Sequence, residues 1–207
     1  MLSLVWVVIR RNINKAILAL GDIQLVFQLA YHWSLAEKYD RLLHQKQTCT
    51  IPWMQRSIGM YGEAVEFKLH PYKDSNSEKH LRLLLKEVLD LCREAWLFTA
   101  EKIFHTPYPT LDSFIADPRN KCPEKSIVKN LAVNCRAFGI NNLWNLQGET
   151  RYPRERIANA LSVLLWTPSD SFNSGTRKKL QNFLNTKATD YTPLGSLLQH
   201  GQQWNPP

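Results

Sequence analysis

Between Ser75 and Phe104 the chain keeps apolar residues at helical spacing for longer than anywhere else, and any fold must accommodate that helix. Leu81, Leu84, Leu85, Val88, Cys92, Ala95, Trp96 and Ile103 recur on one side. Lys79, Arg82, Lys86, Asp90, Arg93, Glu94 and Glu101 occupy the other. Ser75 is placed to cap the start, and Glu78, three residues on, can reach back to it. Thr106-Pro107 and Pro109 end it, because proline has no N–H to donate and its ring clashes with the preceding turn. Leu83, Leu89, Leu91, Leu97 and Phe98 widen the stripe, so the helix meets neighbours on more than one side.

The rest of the chain reads as helices around this one. The apolar run Leu2 to Ile9 is too short to span a bilayer and is followed by Arg10 and Arg11, which is not the order of a secretion signal. It either docks at once or continues an element begun upstream in a longer chain. Asn12 or Asn14 caps a short helix to Leu20, with Gly21 as its stop. Asp22 opens a second helix to Gln45, with Ile23, Val26, Phe27, Ala30, Trp33 and Leu35 inward. Gln45 to Gly62 is a connector, and Ala64 to Leu69 alternates as a short strand does. Thr110 to Ala116 makes one or two helical turns. Pro123 opens the next helix, with Ile127, Val128, Leu131, Cys135 and Phe138 inward and Gly139 as its stop. Pro153 opens another, with Ile157, Leu161, Leu164 and Leu165 inward. Asn173 or Ser174 caps the last, which buries Leu180, Phe183 and Leu184. Trp33, Trp96 and Trp166 suit the core, whereas Trp53, Trp144 and Trp204 fall in loops and are placed to anchor a protein partner. The tail from Thr192 is polar. The expected fold is mainly α, an irregular bundle of about six to seven helices with one short β element near 63–69.

Charge divides the chain. From Arg119 to Lys187 there are 12 basic and 4 acidic residues, an excess equal to the whole net charge of +8. Residues 1–118 therefore form a neutral helical scaffold and residues 119–207 a basic helical segment, either as a pair of small domains or as one continuous domain. A pair of helices in the basic segment begins with cations, Arg151-Tyr152-Pro153-Arg154-Glu155-Arg156 and Ser174-Gly175-Thr176-Arg177-Lys178-Lys179. A helix N-terminus favours anions, so these cations are tolerated if a phosphate lies against them, met by free N–H groups and the Thr176 hydroxyl. Lys125, Lys129 and Arg136 share one side of the helix before and extend the track. Trp144, Tyr152 and Phe172 are placed to stack on unpaired bases. A solvated basic surface is the plain alternative.

No catalytic motif is complete. Glu66-Phe67-Lys68, with Glu63 before it, resembles the E-x-K element of metal-dependent nucleases of the restriction-endonuclease type. Such a site also needs an upstream acidic metal ligand, and Asp40 lies in a predicted helix. The six histidines and four cysteines show no metal-ligand spacing and no C-x-x-C pair, so neither metal nor cofactor is expected. A helix-turn-helix over 126–165 fails on the length of its spacer, Gly139 to Tyr152.

The expectation is a soluble, cytoplasmic, non-enzymatic subunit that follows the backbone of RNA or single-stranded DNA, holds protein neighbours and avoids membranes. In character this resembles the small helical subunits of multi-subunit CRISPR effector complexes of antiviral defence, which are basic bundles lining a nucleic-acid strand. A helical transcription regulator, a protein–protein adaptor and the Glu66/Lys68 nuclease are the alternatives.

Overall fold

The computed structural model describes residues 4–70, 77–117, 119, 121, 126–140, 151–167 and 173–184. These form eight α-helices: α1 (Leu4–Phe27), α2 (Leu35–Lys46), α3 (Pro52–Leu69), α4 (Glu78–Phe104), α5 (Leu111–Ala116), α6 (Ile127–Phe138), α7 (Pro153–Trp166) and α8 (Ser174–Leu184). No strand occurs among the described residues, and the mainly helical expectation holds. Two compact units divide the chain at Ile103/Phe104, with α5 and Asp117 in the second.

In the first unit α1, α2, α3 and α4 share one core. Ile13, Ile17 and Leu25 of α1 meet Leu42 of α2, Ile58, Tyr61, Ala64 and Val65 of α3, and Val88 of α4. Leu20, Trp53, Met54, Leu91 and Ala95 form a second cluster. Burial of such side chains stabilises by about 1.5–3 kcal/mol each. A buried polar pair lies among them: Gln24 Nε2 donates to Ser57 Oγ at 2.6 Å, and Ser57 Oγ donates to the Met54 carbonyl at 2.9 Å.

Several sequence expectations change here. The single helix expected from Asp22 to Gln45 is the end of α1, a reversal and α2, and most of the connector expected from Gln45 to Gly62 is α3. Gly21 does not end a helix; α1 runs through it. A Cβ at Gly21 would collide with the ring of Tyr61 and with Leu42, so glycine is there to let α3 approach rather than to stop α1. Gly62 plays the same role against Tyr39. The strand expected near 63–69 is the last stretch of α3. Its alternation is short, and Met54, Ile58, Tyr61 and Val65, all buried, give the longer 3.6 period that decides the conformation. The tryptophans trade places: Trp53 is buried in α3, whereas Trp33 is 85 % exposed. The α4 end falls as expected, but its start is capped by Ser77, whose Oγ accepts the His80 N–H at 3.3 Å. Ser75 lies outside the described residues.

In the second unit α7 packs on α8, α6 and α5. Thr110 and Ser113 close a reciprocal capping box on α5. Ser126 caps α6, and Gly139 ends it at φ 84°, a conformation other residues rarely adopt. The buried side of α6 differs from expectation: Asn130 and Asn134 face inward, while Ile127 and Val128 are exposed. Leu180, Phe183 and Leu184 of α8 are buried as expected.

Gly21→Ala tests the close approach of α1 and α3. Alanine in a helix interior ordinarily gains about 1 kcal/mol over glycine. Here overlap with the buried Tyr61 ring wins, and urea denaturation should show a loss of about 1–3 kcal/mol.

Candidate functional site

The start of α7 carries its own anion. Pro153 sits at the first helical position and Glu155 two residues later, in the first turn, where the dipole favours a carboxylate. Glu155 is buried, and its Oε2 accepts the Lys121 backbone N–H at 2.9 Å. Its Oε1 lies 3.6 Å from Arg151 Nε and 3.7 Å from Lys121 Nζ. Lys121 Nζ also donates to the Asp117 carbonyl at 3.1 Å and stands over the Phe114 ring. Burial pushes the Lys121 ammonium pKa down, against the pull of Glu155. Arg151 is thus held inside an internal ion cluster.

Arg156 is not a surface cation at all. It is fully buried. Nε donates to the Phe183 carbonyl at 2.9 Å, Nη2 to the Asn182 carbonyl at 3.0 Å, and Nη1 to Asn134 Oδ1 at 2.9 Å. The guanidinium lies 4.1 Å from the centroid of the Phe138 ring. Asn134 in turn donates Nδ2 to the Arg151 carbonyl at 2.7 Å, which explains why an asparagine faces inward on α6. The phosphate-facing role expected of Arg156 is replaced by a structural one. Of the three cations at this helix start only Arg154 is exposed.

The α8 start is similar in kind. Asn173 Oδ1 accepts the Thr176 N–H at 3.0 Å and its hydroxyl at 3.3 Å, so the chain's own cap holds the two donors expected to meet a phosphate. Arg177 is half-buried, Lys178 is exposed, and Lys179 Nζ pairs with Asp112 Oδ1 at 2.7 Å. Lys129 and Arg136 are exposed on α6, and Tyr152 is half-buried as the residue before α7. Lys125, Trp144 and Phe172 lie outside the described residues. Arg136, Arg154 and Lys178 are the exposed cations of the expected set that pair with no carboxylate among the described residues. Asp117, just before the basic segment, takes Arg119: Nη2 lies 2.5 Å from Oδ2, and the Tyr108 hydroxyl donates to the same oxygen.

Glu66 and Lys68, expected on a short strand, lie instead on α3. Glu66 and Lys68 are two residues apart on α3 and point to different sides, since residues two apart do not face each other on a helix. Among the described residues no three His, Cys, Asp or Glu side chains come together as a metal site.

A surface that sequence reasoning missed is the turn after α1. Leu29 N–H donates to the Val26 carbonyl and Ala30 N–H to the Leu25 carbonyl, which closes the Schellman pattern. The left-handed position in that pattern is usually glycine; here it is Leu29, at φ 55° and 97 % exposed. Tyr31 and Trp33 are exposed beside it, as are Val26 and Phe27. The turn is braced from behind. Lys38 Nζ donates to Asp22 Oδ1 at 2.8 Å and to the Tyr31 hydroxyl at 3.1 Å, and Arg41 Nη1 donates to the Ala30 carbonyl at 2.9 Å. The available signal in the sequence was the absence of Gly or Asn from 27–33, where the chain nevertheless reverses.

Two outcomes follow from the partners of Arg156 and Asp117. Arg156→Ala should destabilise the second unit by about 3–5 kcal/mol in urea denaturation, with no recovery in Arg156→Lys, which lacks the planar fork. The Asp117 carboxyl is held well below the usual carboxylate range, chiefly by its hydrogen bond from Arg119. A depressed carboxylate stabilises the fold above its unfolded pKa of about 4, and that stabilisation is lost as pH falls from there. Stability measured between about pH 5 and 2 should therefore fall more steeply for the wild type than for Asp117→Asn. No family model, curated protein or solved structure matches the chain, and no helix among the described residues is long and apolar enough to cross a membrane.

Proposed function

We propose that this chain is a non-catalytic helical subunit of a larger nucleoprotein assembly, held to a protein neighbour by the turn after α1 and to a phosphate backbone by cations of the second unit. The observation that carries the reading is Leu29: a bulky apolar side chain in a strained conformation, almost fully in water. Folding gains nothing from it, whereas a partner's apolar pocket would. Tyr31 and Trp33 beside it are the residue types that dominate binding energy at protein interfaces. The nucleic-acid half is supported by residues 104–207, which hold 12 basic and 7 acidic residues, and by Arg154 and Lys178, exposed on α7 and α8. Contacts of this kind hold the backbone without reading its sequence. The small subunits of CRISPR effector complexes are one setting of this type inside the cell, and helical transcription regulators are another.

Two measurements test the two halves separately. Leu29→Gly should be more stable than the wild type by about 1 kcal/mol, because the left-handed position no longer carries a Cβ. If the turn is a docking element, Leu29→Gly and Trp33→Ala should each lose the proteins that accompany the chain when it is purified from its host. Retention of the same neighbours by both variants removes the docking half. Arg154→Ala and Lys178→Ala should each weaken binding to a single-stranded oligonucleotide and lower the salt slope by about 0.7. Unchanged slopes in both remove the nucleic-acid half.

A further inference from the structure

The turn after α1 leaves large apolar side chains in water within a single reversal: Leu29 at 97 % exposure, Trp33 at 85 %, Val26 at 55 %, Tyr31 at 51 % and Phe27 at 39 %. The three aromatic rings offer on the order of 400 Å² of exposed area, and with Leu29 and Val26 the patch comes to about 500–600 Å². That is the upper end of what a monomer ordinarily exposes. Two such patches set face to face would cover about 1,000–1,200 Å², the lower end of the range for a specific interface.

The patch is also held in shape. Trp33 lies against the His32 ring, with centroids 5.4 Å apart and planes 30° from parallel. His32 Nδ1 accepts the Ser34 N–H at 3.1 Å, which ties this pair of rings to the start of α2. Phe27 packs edge-on to Phe98 of α4, centroids 5.4 Å apart. Leu29 thus stands as a knob beside aromatic faces that the fold has already fixed.

Charge narrows the occupant. From Val26 to Trp33 no Asp, Glu, Lys or Arg occurs. The cations behind the turn are already matched, Lys38 by Asp22 and Arg41 by Glu37, each at 2.8 Å. A phosphate chain finds no free cation there, and neither does an anionic lipid surface. A charged protein surface would lose its water against this patch and gain no partner. A second copy of the chain brings the same uncharged surface, so no like charges meet.

We propose that this turn docks on the same turn of a second copy about a two-fold axis, Leu29 of each copy set against the aromatic faces of the other. The inference rests on the docking half of the function proposed above and names the neighbour. The same patch serves on both sides, so the contact is closed and association stops at the dimer.

The full chain, freed of nucleic acid by nuclease, should be followed by sedimentation equilibrium over a wide range of concentrations. The mass should rise from monomer to dimer and no further. Each copy carries +8 and the contact itself is apolar, so added salt should hold or tighten the dimer, the reverse of its effect on nucleic-acid binding. Leu29→Asp should weaken the dimer at least tenfold. Aspartate tolerates the left-handed position, so this variant should keep the wild-type helical circular dichroism. Leu29→Gly and Trp33→Ala should weaken the dimer as much, whereas Arg154→Ala and Lys178→Ala should leave it unchanged. A monomer at every concentration overturns the proposal. So does dimerisation that none of the three turn variants affects, or growth beyond the dimer. A monomeric wild type whose host neighbours are lost in Leu29→Gly and Trp33→Ala sinks the second copy alone and leaves the docking half standing with a different protein on the turn.

Discussion

A guanidinium withdrawn from water keeps its charge, so each of its N–H groups must meet an acceptor or the fold loses several kcal/mol. Arg156, on α7, meets that demand with groups from two other helices. The carbonyls of Asn182 and Phe183 belong to the last turn of α8, where the helix dipole is negative and carbonyls lack intrahelical partners. Asn134 brings α6, and the Phe138 ring, also from α6, covers the face of the guanidinium. One side chain thus ties both α6 and the α8 end to α7. It also explains an otherwise costly feature, the polar inner side of α6: Asn134 is there to satisfy Arg156 and the Arg151 carbonyl.

The same logic governs the other cations. A helix start rich in Arg and Lys asks for an anion, but the anion can come from inside. At α7 it is Glu155, placed in the first turn and shared by Arg151 and Lys121. At α8 the cap Asn173 occupies the donors, and Asp112 takes Lys179. Asp112 and Asp117 lie just before the segment in which the positive excess is counted, and both pair with cations inside it. An excess counted along the chain is therefore larger than the excess that reaches solvent. Among the described residues of the expected set, Arg136, Arg154 and Lys178 reach solvent from three different helices.

Long, strongly periodic elements were legible in the sequence because many residues vote for one period. The end of α4, the Thr110 start of α5, Gly139 after α6 and Pro153 at the head of α7 all lie where the residues place them. The misreadings share a cause: a local signal had a tertiary explanation. Gly21 looked like a stop because glycine usually is one, and only the Tyr61 ring shows why it sits within α1. The alternation at 64–69 is too short to outweigh the four-residue and three-residue steps that lead into it from Met54. Trp33 and Trp53 were assigned by their neighbours in sequence, yet Trp53 starts a helix that packs inward and Trp33 follows a reversal that carries it out. Arg156 was grouped with Arg154 by proximity, although residues two apart on a helix face different ways.

The turn after α1 shows why a strained, exposed residue can be retained. A left-handed leucine costs about 1–2 kcal/mol relative to glycine. The hydrogen bonds from Lys38 to Asp22 and Tyr31, and from Arg41 to the Ala30 carbonyl, tie α2 to α1 and to the turn and brace the reversal. A side chain presented on a braced backbone has less freedom to lose on binding than one on a glycine turn, and that difference returns as affinity. Replacing Leu29 by glycine would relieve the strain and also remove the protruding group. On the docking reading proposed for this turn, stability and recognition pull in opposite directions at this one residue.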